Sequence, residues 1–399
     1  MVSFLTRAPR SRRTLLFGST MHVWSDLFFA LLVPLLPFIR EDMGLSFTQV
    51  GMLRSVFSGA SAILQVPAGL LAESAGEFWM LVLGNVWVSA GLIAMALSQV
   101  FLVLVITSGV GGLGGGTQHP LASSMVSRAY DDRGRATAVG TVNFAGDLGK
   151  MLAPLVAGLC AVRFGWRETF LIVGISGLVF MIASMFTRRA VDIGRPDARA
   201  SETLETGSVD DSKARIGGFV TLSGVGVLDS AVRTSALVFL PFVLDAKDMG
   251  PGQISAMLFL LFGGGAIGKF VCGWLGDRMD TISLIWATKG LTALFLVTSL
   301  VTPALLMAPL MVLIGIGLNG TSSVLYATVA NLVPPRRRAR FYGFFYTTNE
   351  IGTVAAPLAY GLVADIFSLN TTMIVMGVAT AAILPASLTL RRHLRDAGF

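Results

Sequence analysis

The chain has 399 residues, 54% of them hydrophobic and 13% charged, with a mean hydropathy of +0.74 and a formal charge of +7. That balance excludes an ordinary soluble domain and points to lipid as the surrounding solvent. The basic residues are scattered between apolar runs, which argues against a nucleic-acid surface, and the two cysteines, Cys160 and Cys272, lie inside such runs, which argues against a disulfide framework or a metal site.

A bilayer-spanning helix needs about 20 apolar residues. Twelve stretches reach that length: 14–39, 47–72, 78–98, 100–127, 136–162, 166–187, 216–244, 252–276, 281–302, 304–332, 340–366 and 370–390. The first follows MVSFLTRAPRSRR but runs too long for a signal peptide and has no small-residue cleavage site, so it reads as a retained helix. No short alternating strands of a barrel are evident. Arg and Lys crowd the segments on the N-terminal side, around Arg7–Arg13, Arg128–Arg135, Arg188–Arg215, Arg278, Arg336–Arg340 and Arg391–Arg395. The opposite side carries Arg40, Arg163, Arg167 and Lys247, so the positive-inside rule places both termini in the cytoplasm.

Ionisable groups within the spans cost about 2.5–3.5 kcal/mol each on insertion scales and mark pathways or proton relays. Taken in chain order, the first span carries His22 and, one turn on, Asp26, a pair that can take up and pass a proton or serve as a hydrogen-bonded cluster holding the helix to a neighbour. The second carries Arg54 and ends in GLLAESAGEF with Glu73. In the fourth, GGLGGGTQHP holds Gln118 and His119 beside Pro120, which frees a carbonyl and loosens the helix at an expected cavity wall; the pair can contact substrate there, or His119 can bond the freed carbonyl. The glycine run lacks a preceding strand and a following Lys-Ser/Thr, so it is no phosphate cradle.

The fifth span, GTVNFAGDLGKMLAPLVAG, sets Asp147 and Lys150 three residues apart, with Asn143 a turn earlier; the seventh sets Asp229 and Arg233 four apart. Each pair shares a helical face and can neutralise itself, either as a structural pair or as charges exchanged between partners during motion. Lys269 lies in the eighth span, whose end reads GWLGDRMD with Asp277 and Arg278, and the eleventh holds Tyr346 and Glu350. Glu350 has only Thr353 where its counterpart has a lysine, so it is a second proton candidate. No enzyme constellation and no metal-ligand spacing occurs, and no cofactor is expected.

The two halves of the chain repeat at a shift of about 203 or 204 residues. AGDLGKMLAPLVAGL lies over TNEIGTVAAPLAYGL, pairing Asp147 with Glu350 and Pro154 with Pro357; FTQVGMLRSVFSGASAILQVPAGLLAE lies over MGPGQISAMLFLLFGGGAIGKFVCGWLGD, pairing Glu73 with Asp277. The predicted fold is an all-α membrane protein of twelve transmembrane helices in two pseudo-symmetric six-helix bundles, 1–187 and 216–399, joined by a polar cytoplasmic linker at 188–215.

MHVWSDLFFALLVPLLPF with His22 and Asp26, LSFTQVGMLRSVFSGASAILQVPAGLLAE, QHPLASSMV and GDLGKMLAPL together resemble the major facilitator superfamily, and within it the branch typified by fosmidomycin-resistance efflux proteins. The resemblance implies a monomer in the bacterial inner membrane, exporting small molecules against protons by alternating access. It also gives the loop positions Glu73, Asp277 and Arg278, with nearby Lys269, a gating role, although GLLAESAGEF lacks the basic residues usual there. The leading expectation is therefore proton-coupled export of a small polar or anionic molecule. Asp26, Glu350 and His22 would carry protons, while Asp147, Lys150, Arg233, Asp229, His119, Gln118, Arg54, Tyr346 and Asn143 would form the substrate site. Protons, the substrate and membrane lipids are the expected partners, with no nucleic acid. Uptake of an organic anion drawn by Arg54, Lys150, Arg233 and Lys269 is one alternative, and a non-transporting receptor or scaffold another.

Overall fold

A computed structural model describes residues 9–130, 132–191, 216–276, 278–333 and 338–395. Among them there is no strand; the helices are α1 (Arg10–Met43), α2 (Phe47–Ala75), α3 (Glu77–Ala96), α4 (Phe101–Gly112), α5 (Gln118–Arg128), α6 (Asp132–Phe164), α7 (Trp166–Met185), α8 (Ile216–Asp245), α9 (Pro251–Gly276), α10 (Thr281–Thr298), α11 (Met307–Leu332), α12 (Arg338–Ile366) and α13 (Leu369–Arg395). α4 and α5 form one span through a 3-10 turn at Leu113–Thr117, so the helices fill all twelve expected spans. Eleven are long and apolar enough to cross a membrane by composition alone. α12 falls short because the polar TTNE sits within it.

The helices follow one another with little loop because glycines turn the chain. Gly76 at φ 84° and Gly165 at φ 98° sit between α2 and α3 and between α6 and α7, in a region side chains rarely adopt. Large apolar side chains such as Ile63, Leu159 and Phe270 point outward, as lipid-facing helices require.

By density of contacts the chain falls into two compact units, Met1–Leu35 with Val56–Ser208 and Leu36–Ser55 with Val209–Phe399. The expected linker at 188–215 lies, from residue 192 on, outside the described residues. In the first unit α3 packs on α7 and α4, around Phe17 stacked on Phe78 at 4.7 Å, with Leu81, Met125 and Met181. A methyl at Gly91 would strike Gly111, and one at Gly112 or Gly116 would strike the carbonyls of Phe57 or Ser61. The glycine run is thus a packing seam.

In the second unit α9 crosses α11 closely, since side chains at Gly264, Gly268 and Gly315 would each meet backbone of the facing helix. Its core gathers Phe219, Ile285, Leu325 and Phe345. The tip of the α1–α2 hairpin belongs to this unit: Asp365 of α12 accepts hydrogen bonds from the backbone N–H of Phe47 at 2.8 Å and of Thr48 at 2.7 Å. Arg40 stacks over Phe47 with 4.2 Å to the ring centre.

Candidate functional site

Among the described residues, each unit holds a cluster of charged side chains drawn from several helices. In the first, Gly146 and Gly149 bring α6 against α1: a methyl at Gly146 would run into the Asp26 carboxylate and the His22 ring, and one at Gly149 into the Val23 carbonyl. The close approach carries Lys150 Nζ to 3.0 Å from Asp26 Oδ2 and 3.4 Å from Asp147 Oδ1. His22 Nε2 lies 3.5 Å from the same Asp26 oxygen. Asp26 and His22 are 3% and 2% exposed, whereas the Lys150 side chain is 33% exposed. The two charges set three apart in α6 are therefore half of a four-membered group: one partly exposed lysine bridges carboxylates from two helices. An ion pair so buried gains little over well-packed apolar side chains, which favours use over mere support.

In the second unit Glu350 of α12 lies within electrostatic reach of Arg233 of α8 and Arg54 of α2. Glu350, expected to be an unpaired acid, has two arginines from other helices within electrostatic reach. Tyr326 of α11 bonds Asn349 and stacks on Tyr346 with ring centres 4.7 Å apart, forming an aromatic edge to this group. Arg233 Nη2 donates to the Ser230 hydroxyl at 3.4 Å.

Asp229 does not form the expected pair with Arg233 one turn away. Its ion pair is with Lys289 of α10, both side chains at most 3% exposed, and Lys289 also donates to the Gly317 carbonyl of α11 at 3.3 Å. Sequence reasoning missed Lys289, although a base within a span and without an acid on its own helix must find one elsewhere. Asp26 and Asp229 stand 203 residues apart, the same offset as Asp147 and Glu350. The repeated acid is thus served by Lys150 of α6 in one half and Lys289 of α10 in the other.

The remaining expected site residues disperse. Gln118, fully buried, donates its amide to the Leu81 carbonyl at 2.9 Å and faces a helix instead of a solute. Asn143 is exposed on α6 and Lys269 is half-buried on α9. Arg278 is exposed, lies 4.0 Å over Trp274 and donates to its carbonyl. Asp277 and the side chains of Glu73 and His119 lie outside the described residues. Among the described residues no group of three or more His, Cys, Asp and Glu converges as metal ligands would.

Known proteins match the chain along nearly its whole length. The family model of the Major Facilitator Superfamily matches residues 19–221 and again 222–397. A probable 4-methylmuconolactone transporter of Cupriavidus pinatubonensis (strain JMP 134 / LMG 1197) is 26% identical over 351 residues, covering 85% of this chain and 80% of the relative. The fosmidomycin resistance protein of Escherichia coli (strain K12) is 24% identical over 358 residues, covering 87% and 85%. Among solved structures, a bacterial homologue of the human lysosomal transporter Spinster, in an inward-facing and unoccupied conformation, superposes with a TM-score of 0.86 at 18% identity over 98% of both chains. Two successive family matches on a chain of paired, charge-bearing helical halves leave one conclusion: this multi-pass membrane protein belongs to the Major Facilitator Superfamily of secondary transporters.

Proposed function

We propose that the protein moves a small organic anion together with protons by alternating access. The observation that carries this reading is that Glu350 has both Arg54 and Arg233 within electrostatic reach, two bases to one acid. An anion entering such a group competes with Glu350 for the arginines, and the displaced carboxylate is stabilised by taking a proton. Anion and proton then bind together, which is the linkage of a symporter; an antiporter needs them to exclude each other. The first-unit cluster has the opposite balance, two acids and His22 around Lys150, and suits a second proton. With an inward proton gradient, symport means uptake, the reverse of the leading expectation from sequence.

Export remains the second reading, favoured by likeness to a protein named for fosmidomycin resistance. In both readings the chain acts as a monomer in a bacterial inner membrane with its termini in the cytoplasm. Residues 1–187 and 216–399 form the two bundles, 188–215 links them, and Glu73, Lys269, Asp277 and Arg278 serve the gate. The test uses purified protein in lightly buffered solution, with 4-methylmuconolactone and fosmidomycin as probes. Proton uptake on adding a bound probe supports symport, and Glu350→Gln should bind the same probe without it. Proton release on binding sinks symport in favour of exchange.

A further inference from the structure

The buried pair Asp229–Lys289 has no part in the scheme above, yet it borders the arginine that scheme depends on. Asp229 and Arg233 are four apart on α8, on one face, so by spacing alone the carboxylate would take Arg233 as its partner. A buried carboxylate without a base is strongly unfavourable, and Arg233 is one turn away. Lys289 reaches in from α10 and is fixed at two points, by Asp229 and by the Gly317 carbonyl of α11. Arg233 instead donates to the Ser230 hydroxyl at 3.4 Å and lies within electrostatic reach of Glu350 and Arg54.

The repeat sharpens the point. The place of Arg233 in the first half is held by Ala30, and there the acid Asp26 shares Lys150 with Asp147, with no arginine at stake. Where an arginine does stand one turn beyond the acid, the acid has a buried lysine of its own.

We propose that Lys289 is a positioning residue: by occupying Asp229 it keeps the Arg233 guanidinium directed at Glu350 and the substrate anion. The proposal rests on the anion-binding reading of Arg233, but one of its tests does not. Removing the lysine while keeping the acid should turn Arg233 onto Asp229, and removing both should return it.

Structures of Lys289→Met and of Lys289→Met/Asp229→Asn in lipid nanodiscs, without any anion, test the geometry directly. An Arg233 that pairs with Asp229 in the first and not in the second is expected; an Arg233 unmoved in Lys289→Met overturns the proposal. Should the single variant fail to fold, the double variant paired with Lys289→Arg replaces it: both leave Arg233 off Asp229 and should bind like the wild type, so weakened probe binding by the folded double variant overturns the proposal.

Transport in vesicles, with 4-methylmuconolactone and fosmidomycin as probes, supplies the functional readout. KM should rise about tenfold or more in Lys289→Met with the maximal rate little changed, and return to within about threefold in the double variant, a charge-assisted contact having been lost and regained. A fall in maximal rate at constant KM would mark a merely structural pair and overturn the proposal. If the wild type moves neither probe while Arg233 still swings in the anion-free structures, the positioning role stands and the anion reading fails.

Discussion

Lys150 is held by two carboxylates, and the consequences of losing each member differ. Replacing Asp147 by Asn leaves the 3.0 Å contact with Asp26, the more deeply buried acid, so the cost should be about 1 kcal/mol or less. Replacing Lys150 by Met leaves two acids without their shared base, a loss of about 3–5 kcal/mol on the scale of broken buried pairs. Thermal unfolding in nanodiscs should rank the variants in that order, and equal midpoints would mean that Lys150 is held elsewhere. Gly146→Ala tests the same geometry without touching a charge. Its methyl would meet the Asp26 carboxylate and the His22 ring, so those buried side chains or α6 itself must shift, disturbing the Lys150–Asp26 contact. The expected outcome is destabilisation of about 1–3 kcal/mol, the usual range for overpacking, read from the same unfolding curves.

At the scale of elements, the start of α2 is tied to the end of α12 by one side chain. Asp365 accepts from the Phe47 and Thr48 N–H groups, donors that a helix start leaves without intrahelical partners. Loss of such a cap costs about 1 kcal/mol, a factor of about five in the opening equilibrium. Asp365→Ala should therefore speed hydrogen exchange at those two amides about fivefold and leave α9 unchanged; uniform change would assign Asp365 a global role.

Asp280 caps α10 in the same manner. Burial alone would raise its carboxyl, but hydrogen bonds from the Ser283 N–H and hydroxyl and from the Ile282 N–H, with the nearby Arg391 charge, hold it below the ordinary range. A lowered pKa in the folded protein means that the cap's contribution is present above the ordinary carboxylate range and lost as pH falls through the lowered value. Exchange at the first turn of α10 should rise on that descent in the wild type and be flat with pH in Asp280→Asn, after correction for the intrinsic rate.

How much was legible follows from what spacing can see. Span positions come from runs of apolar residues, and all twelve are helical; Asp147 and Lys150, three apart on one helix, could be paired from the page. Lys289 and Asp229, sixty residues apart, could not, because their meeting depends on how α8 and α10 pack. Asp229 with Arg233 was the local answer, and tertiary packing overrode it. Gln118 sits in a polar-looking motif beside a proline, but only the fold reveals that the Leu81 carbonyl claims its amide.

For the whole molecule, the question is how many charges cross the membrane in one cycle. In the proposed symport two acids are the candidates to load protons, Asp26 beside His22 in the first unit and Glu350, within electrostatic reach of two arginines, in the second. If Glu350 alone titrates, one proton accompanies one monoanion and the cycle is electroneutral. If Asp26 also loads, the complex carries one net positive charge, and an inside-negative potential drives it with about 2.3 kcal/mol per 100 mV. The deep burial of Asp26 beside an ionisable ring, with a half-accessible lysine that can turn to Asp147 once Asp26 is protonated, favours the second case. In proteoliposomes with both pH and potential clamped, wild-type uptake of a monoanionic probe should therefore rise with an inside-negative potential even at zero pH gradient. Asp26→Asn should lose the response to potential and keep the response to the pH gradient, since Glu350 still couples one proton to the anion. Glu350→Gln should lose coupling at the anion site itself. A wild type that responds to the pH gradient and ignores the potential would confine proton carriage to Glu350 and leave the Asp26 group a structural one.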